Sequence, residues 1–151
     1  MNVAATPKGF SLLQIAALAA VLLAPLALYF DTARSMVSIW NSSETFAHGY
    51  IILPISLFLI WKRRALLANI TPRPFWPGLA ALLLCGFAWL LAEVAGVQVV
   101  RQYALVAMVP VICATVGGLR LTTAIAFPLL FLLLAVPFGD AFIQPLIKFT
   151  A

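Results

Sequence analysis

The hydrophobic positions of this chain fall in long blocks separated by short polar joints. The first block covers residues 10–30, about twenty residues, which as a helix rising 1.5 Å per residue is about one hydrocarbon core thick. Pro25 is expected to bend it. Residues 31–44 change character, mixing Asp31, Arg34, several serines and Glu44 with Met36, Val37, Ile39 and Trp40. That mixture predicts an interfacial loop or a short surface helix with Trp40 at headgroup level.

The second block lies within residues 45–64, with an unbroken apolar part over 50–61, the single histidine at one end and Lys62-Arg63-Arg64 at the other. The apolar part is short for a crossing, which places His48 near the interface or in a wet cavity. Residues 65–76 hold Pro72 and Pro74 and are predicted to form a loop, leaving Pro77 at a first-turn position of the next helix. The third block runs from 78 to 94 or 96, with Glu93 at its far end. Gln98, Arg101 and Gln102 separate it from a fourth, 103–116, which carries Pro110; Gly117-Gly118-Leu119-Arg120 is a tight connection. The fifth, 121–138, contains Pro128, and Gly139-Asp140 mark an exit turn.

The predicted fold is therefore all-α: a polytopic transmembrane helical bundle of about five spans plus the start of a sixth segment, in a single domain over 1–151. Residues 146–151 lack the glycine or polar run that ends an element, so the chain is expected to be the N-terminal part of a longer protein. Lys8 before the first block resembles a signal-peptide start, but the block is too long for one and lacks a cleavage site, so a retained first helix is expected.

Composition excludes a soluble domain. Hydrophobic residues make up 65% of the 151 positions, charged ones 9%, and the mean hydropathy is +1.14, more apolar surface than a soluble core hides. A net charge of +5 raises nucleic acid as a partner, yet the cations are neither gathered on a polar domain nor interleaved with exposed aromatics, so none is expected. The charge instead reports topology. With the amino terminus cytoplasmic, Lys8, Lys62, Arg63, Arg64, Arg73 and Arg120 lie inside and Arg34, Arg101 and Lys148 outside, a bias of six to three. Asp31, Glu44, Glu93 and Asp140 all fall outside.

The outer face thus collects the groups able to carry chemistry. Histidine is the one side-chain type here suited to proton exchange near neutral pH, and Glu44 lies four residues before His48, within helical pairing reach. It reads either as a structural interface histidine or as a substrate-side group. Glu93 and Arg101 bracket a short outer turn and are read as a structural pair or as functional groups at a helix mouth. Pro54 frees the Tyr50 carbonyl one turn below His48, either as a packing kink or as an acceptor at the histidine's depth. Cys85 and Cys113 sit inside apolar runs and are expected to be packing residues. There is no zinc-ligand spacing, no glycine-rich phosphate loop and no nucleophile elbow beside a base, so no metal or cofactor is expected.

Three separated blocks carry a resemblance. Phe46-Ala47-His48-Gly49-Tyr50 continuing to Trp61-Lys62-Arg63-Arg64, then Gln98-Val99-Val100-Arg101-Gln102, then Ala126-Phe127-Pro128 continuing to Pro137-Phe138-Gly139-Asp140, together resemble the exosortase family of the exopolysaccharide-locus type. The resemblance covers most of the chain from Thr45 onward. It implies a multi-pass cysteine protease or transpeptidase of the bacterial inner membrane. Its partners would be membrane lipid and exported proteins whose C-terminal sorting tail combines a Pro-Glu-Pro-like motif, one span and a basic cluster.

The family's cysteine, arginine and histidine fall after the region where this chain ends, so the resemblance assigns no catalytic residue here. Cys85 and Cys113 do not sit in the nucleophile's context, nor His48 in that of the catalytic histidine. His48, Glu93 and Arg101 remain as substrate-side candidates. The alternatives are part of a secondary transporter, which predicts polar residues at mid-span and a related repeat, or a non-catalytic membrane scaffold.

Overall fold

The computed structural model describes residues 11–139 together with Phe149. Eight α-helices account for most of these residues, and there is no strand among them: α1 Leu12–Leu28, α2 Phe30–Ser42, α3 Gly49–Lys62, α4 Arg64–Ala68, α5 Pro77–Val94, α6 Gln98–Ile112, α7 Leu119–Ala124 and α8 Ala126–Phe131. The helical membrane bundle is as the sequence predicts. The start of a sixth segment, Asp140, Lys8 and Lys148 lie outside the described residues.

Among the described residues three helical stretches are long and apolar enough to cross a membrane: Glu44–Lys62, Pro77–Val94 and Gln98–Gly117. The first expected span, residues 10–30, corresponds to α1, and α2, in the segment predicted to be interfacial, meets it at 79°. Ser11 starts α1 through a capping box, its hydroxyl accepting from the Gln14 N–H at 3.2 Å while the Gln14 carboxamide accepts from the Ser11 N–H at 2.9 Å. The polar sequence from Asp31 onward is helical, as one of its two readings has it. The bent pair passes as one broken span, so among the described residues there are three or four spans against the expected five.

The fifth expected span is divided at Ile125 into α7 and α8, followed by a 3-10 turn, Leu132–Ala135. Pro128 is the sequence cause, since it has no N–H for the carbonyl four residues back, that of Ala124. The freed Ala124 carbonyl accepts a hydrogen bond from Nη1 of Arg63, so the break in one helix is satisfied by the basic end of another. Pro54, in contrast, leaves α3 continuous, and it lies exposed on that helix.

At the centre is α6, with Gln102, Ala104, Leu105, Met108 and Ile112 buried. It extends through a π-helical turn, Cys113–Gly117, into a core of Cys113, Leu121, Ile125 and Leu129, against which Leu22, Ile60 and Val109 pack. Within a hydrocarbon layer this packing is held by van der Waals contact and not by removal of apolar surface from water. Helix α5 lies against α6 but buries only Gly78 and Ala92, leaving Leu83, Leu84, Phe87 and Val94 on an apolar outer surface. Such a surface is suited to hydrocarbon and to nothing aqueous.

Two ends follow from this packing. One gathers the start of α3, the α5–α6 turn and residues 135–139; the other gathers the end of α3, the loop before α5 and the α6–α7 connection. Glu44 and Glu93 belong to the first, as does Arg101, and Lys62, Arg63, Arg64, Arg73 and Arg120 to the second, while Asp31 and Arg34 lie on α2.

Candidate functional site

The polar end is assembled around Trp40. Its indole N–H donates to the Ala135 carbonyl at 2.9 Å, tying α2 to the 3-10 turn 95 residues later. The same ring meets Tyr50 edge-on, centroids 5.2 Å apart, and the Tyr50 hydroxyl donates to Oδ1 of Asn41 at 2.8 Å. Gly49 lies directly beneath the indole, where any added Cβ would overlap it. Phe46 is buried beside Gly139 and closes the entry to α3.

His48, the residue before α3, is exposed, and its Nδ1 donates to the Thr45 carbonyl at 2.8 Å. A carbonyl only accepts, so Nδ1 carries the proton and Nε2 of the neutral ring is left as an outward acceptor. Glu44 lies within helical reach in sequence, but the intervening turn is a 3-10 turn, Glu44–Phe46, and no ion pair with His48 forms. The ion pair that does form among the described residues joins Arg101 to Glu93.

That pair spans the α5–α6 turn. Gly96, at φ 69°, takes the left-handed conformation that ends α5, and the Val97 N–H returns to the Ala92 carbonyl at 2.8 Å. The turn brings residues eight apart into contact. Both side chains are partly exposed, so the pair contributes less than about 1 kcal/mol. Arg101 Nε is buried with no partner.

Gln102 was expected in a joint between spans; it lies instead inside α6, fully buried. Its Nε2 donates to Ser35 Oγ at 3.0 Å, Ser35 donates to the Thr32 carbonyl at 2.7 Å, and Trp89 Nε1 donates to Thr32 Oγ1 at 3.0 Å. This chain fixes the amide's orientation. Ser35 commits its one hydrogen to the Thr32 carbonyl, so its oxygen can only accept and must face the amide nitrogen. Oε1 of Gln102 is consequently the atom left without a partner. A buried acceptor left unmade costs about 1–3 kcal/mol.

Next to this network is a cleft of about 320 Å³ lined by Ile39, Gly96 to Val99, Gln102 and Pro137. Its volume falls at the small end of the range for ligand sites. Helix α6 begins here with no side-chain cap; the Arg101 N–H donates to the Val97 carbonyl at 3.3 Å, which leaves the N–H groups of Gln98, Val99 and Val100 as donors beside the Gln102 acceptor. Donors and an acceptor between apolar walls match an extended peptide backbone better than a simple anion.

The three substrate-side candidates thus lie at one end of the bundle, with Glu93 and Arg101 in contact and His48 on the neighbouring helix start. Gln102 with Thr32, Ser35 and Trp89 is the feature not read from the sequence. The available signal was the spacing of Thr32, Ser35 and Met36, three and four apart on one helical face. Neither cysteine belongs to this end: Cys113 is in the apolar core and Cys85 is half-buried on α5. Among the described residues no group of histidine, cysteine or acidic side chains is placed to hold a metal.

Apolar helices of membrane-spanning length, with a cluster of cations at one end of the bundle, define a helical integral-membrane protein. Residues 40–151 match the transmembrane exosortase family (Exosortase_EpsH), and the chain belongs to that family. No curated protein and no solved structure matches it.

Proposed function

We propose that this chain provides the substrate-facing membrane part of an exosortase-like cysteine protease or transpeptidase. The enzyme processes exported proteins bearing a C-terminal Pro-Glu-Pro-type sorting tail at the outer face of the bacterial inner membrane, and the amino terminus of this chain is cytoplasmic. The match to the family over residues 40–151 carries the reading. The separation of polar and basic ends supports it, since a tail with a basic cluster beyond its span is oriented in the membrane by the same charge rule as this chain.

In this reading the polar end of the chain binds and orients the tail. A thiolate attacking a peptide carbonyl needs a base and an oxyanion partner, and no residue here is assigned to any of the three roles. His48, Glu93 and Arg101 are positioning residues at the mouth. His48 offers Nε2 as an acceptor, Arg101 offers its guanidinium held by Glu93, and the adjacent cleft takes extended backbone.

The test is tail processing of an exported reporter by the intact enzyme in its membrane, at matched protein levels. His48→Ala and Arg101→Gln are each expected to slow processing about tenfold, the loss of one charge-assisted or oriented contact. Unchanged processing in both variants would assign this part of the protein a scaffold role.

A further inference from the structure

The basic end carries a second cleft, of about 260 Å³, with Arg73, Arg120 and Thr71 among its lining residues on the polar side and Pro74, Phe75 and Leu119 on the apolar side. Backbone contacts fix its walls. The Arg73 N–H donates to the Gly117 carbonyl at 3.4 Å and the Phe75 N–H to the Thr115 carbonyl at 3.0 Å, pinning the loop against the end of the π-helical turn. Gly118 adopts φ 89° and ψ 165°, a region open essentially to glycine alone, and an added Cβ there would overlap the Arg73 carbonyl.

The cations at this end are not equivalent. Arg63 is committed to the Ala124 carbonyl, and Arg64 lies 4.0 Å over the Trp61 ring and donates to the Trp61 carbonyl. Arg73 and Arg120 are exposed, share the one cleft, and have no side-chain hydrogen bond or ion pair among the described residues. Glu44 and Glu93 are at the opposite end, and no carboxylate lines the cleft. Two guanidinium forks in one cleft, with no acid nearby, call for an anion from outside the chain, and the fork geometry suits phosphate oxygens.

We propose that this cleft binds the phosphate of an anionic phospholipid headgroup. Arg73 and Arg120 hold the phosphate oxygens, and the Thr71 hydroxyl adds a donor. Pro74, Phe75 and Leu119 meet the glycerol and the first methylenes. Trp76, exposed beside the cleft, sits at headgroup level. A free phosphate shares the arginine chemistry but has nothing to place against the apolar side, which is why the lipid is the occupant.

The experiment reconstitutes the full chain in phosphatidylcholine nanodiscs containing a minor fraction of phosphatidylglycerol and measures lipid retention by native mass spectrometry, with inorganic phosphate as competitor. One retained phosphatidylglycerol is expected. Arg73→Gln and Arg120→Gln should each weaken retention about tenfold, and Arg120→Lys should fall between, keeping the charge and losing the fork. Lys62→Gln removes the same charge at the same end outside the cleft and should change retention less than about twofold.

The loop contact with Gly118 uses the Arg73 backbone, so these side-chain changes leave the fold intact, and equal thermal melting of each variant checks it. Equal weakening by Lys62→Gln would overturn the proposal in favour of diffuse surface charge. No retention by the unaltered chain, or displacement of the lipid by stoichiometric inorganic phosphate, would also overturn it.

Discussion

The two ends of the bundle solve the same problem in different ways. Each has helix breaks and exposed backbone groups to satisfy at the edge of an apolar body. At the basic end the satisfaction is cationic: Arg63 takes the carbonyl that Pro128 frees, and Arg64 folds back on Trp61. At the polar end it is made by neutral side chains far apart in sequence, Trp40 with Ala135 and Gln102 with Ser35, and it is incomplete. Two of the three buried, unpartnered side-chain atoms among the described residues, Arg101 Nε and Gln102 Oε1, are at the polar end.

The largest expected effect tests the rigidity of the basic end. Gly118→Val should cost about 3 kcal/mol or more, from a forbidden backbone region together with overlap on the Arg73 carbonyl, and should appear as loss of monodisperse protein on extraction. At the polar end, Gln102→Ala should cost about 2–3 kcal/mol by opening a void and stranding the Ser35 oxygen. Gln102→Leu, which fills the volume and removes the open acceptor, should cost less than half as much by thermal melting.

These expectations depend on features of unequal legibility in sequence. Pro77 at the start of α5, the glycine pair before Leu119 and the basic end of α3 were readable because each is decided by residues within a few positions. The start of α6 at Gln98 and the division at Ile125 were not, because the first depends on a distant serine to receive a buried carboxamide and the second on a distant arginine to receive a freed carbonyl. The candidate site was legible as a set of polar residues at one end, while its internal pairing was not. Glu93 with Arg101 forms because Gly96 turns the chain back, whereas Glu44 misses His48 because a 3-10 turn changes the helical register.

Smaller effects sharpen the contrast. A double-mutant cycle on Glu93 and Arg101 should give a coupling below about 1 kcal/mol, since both are partly exposed. A larger value would make the pair a structural clamp. Ser56→Ala, which removes a buried hydroxyl with no partner in α3, should be neutral or stabilising by up to about 1 kcal/mol. Alanine at Cys85 or Cys113 should leave tail processing by the intact enzyme unchanged at matched levels of folded protein, Cys113 costing the more stability because it is in the core.

The central claim is that the polar end, and not the basic end, meets the exported tail. Photo-crosslinking amino acids at positions 48 and 98, and in a second protein at position 73, test it directly in membranes containing a tail-bearing reporter. The account predicts adducts with the tail from 48 and 98 and none from 73. Adducts from 73 alone, or none from either end while the tail is still processed, would contradict it.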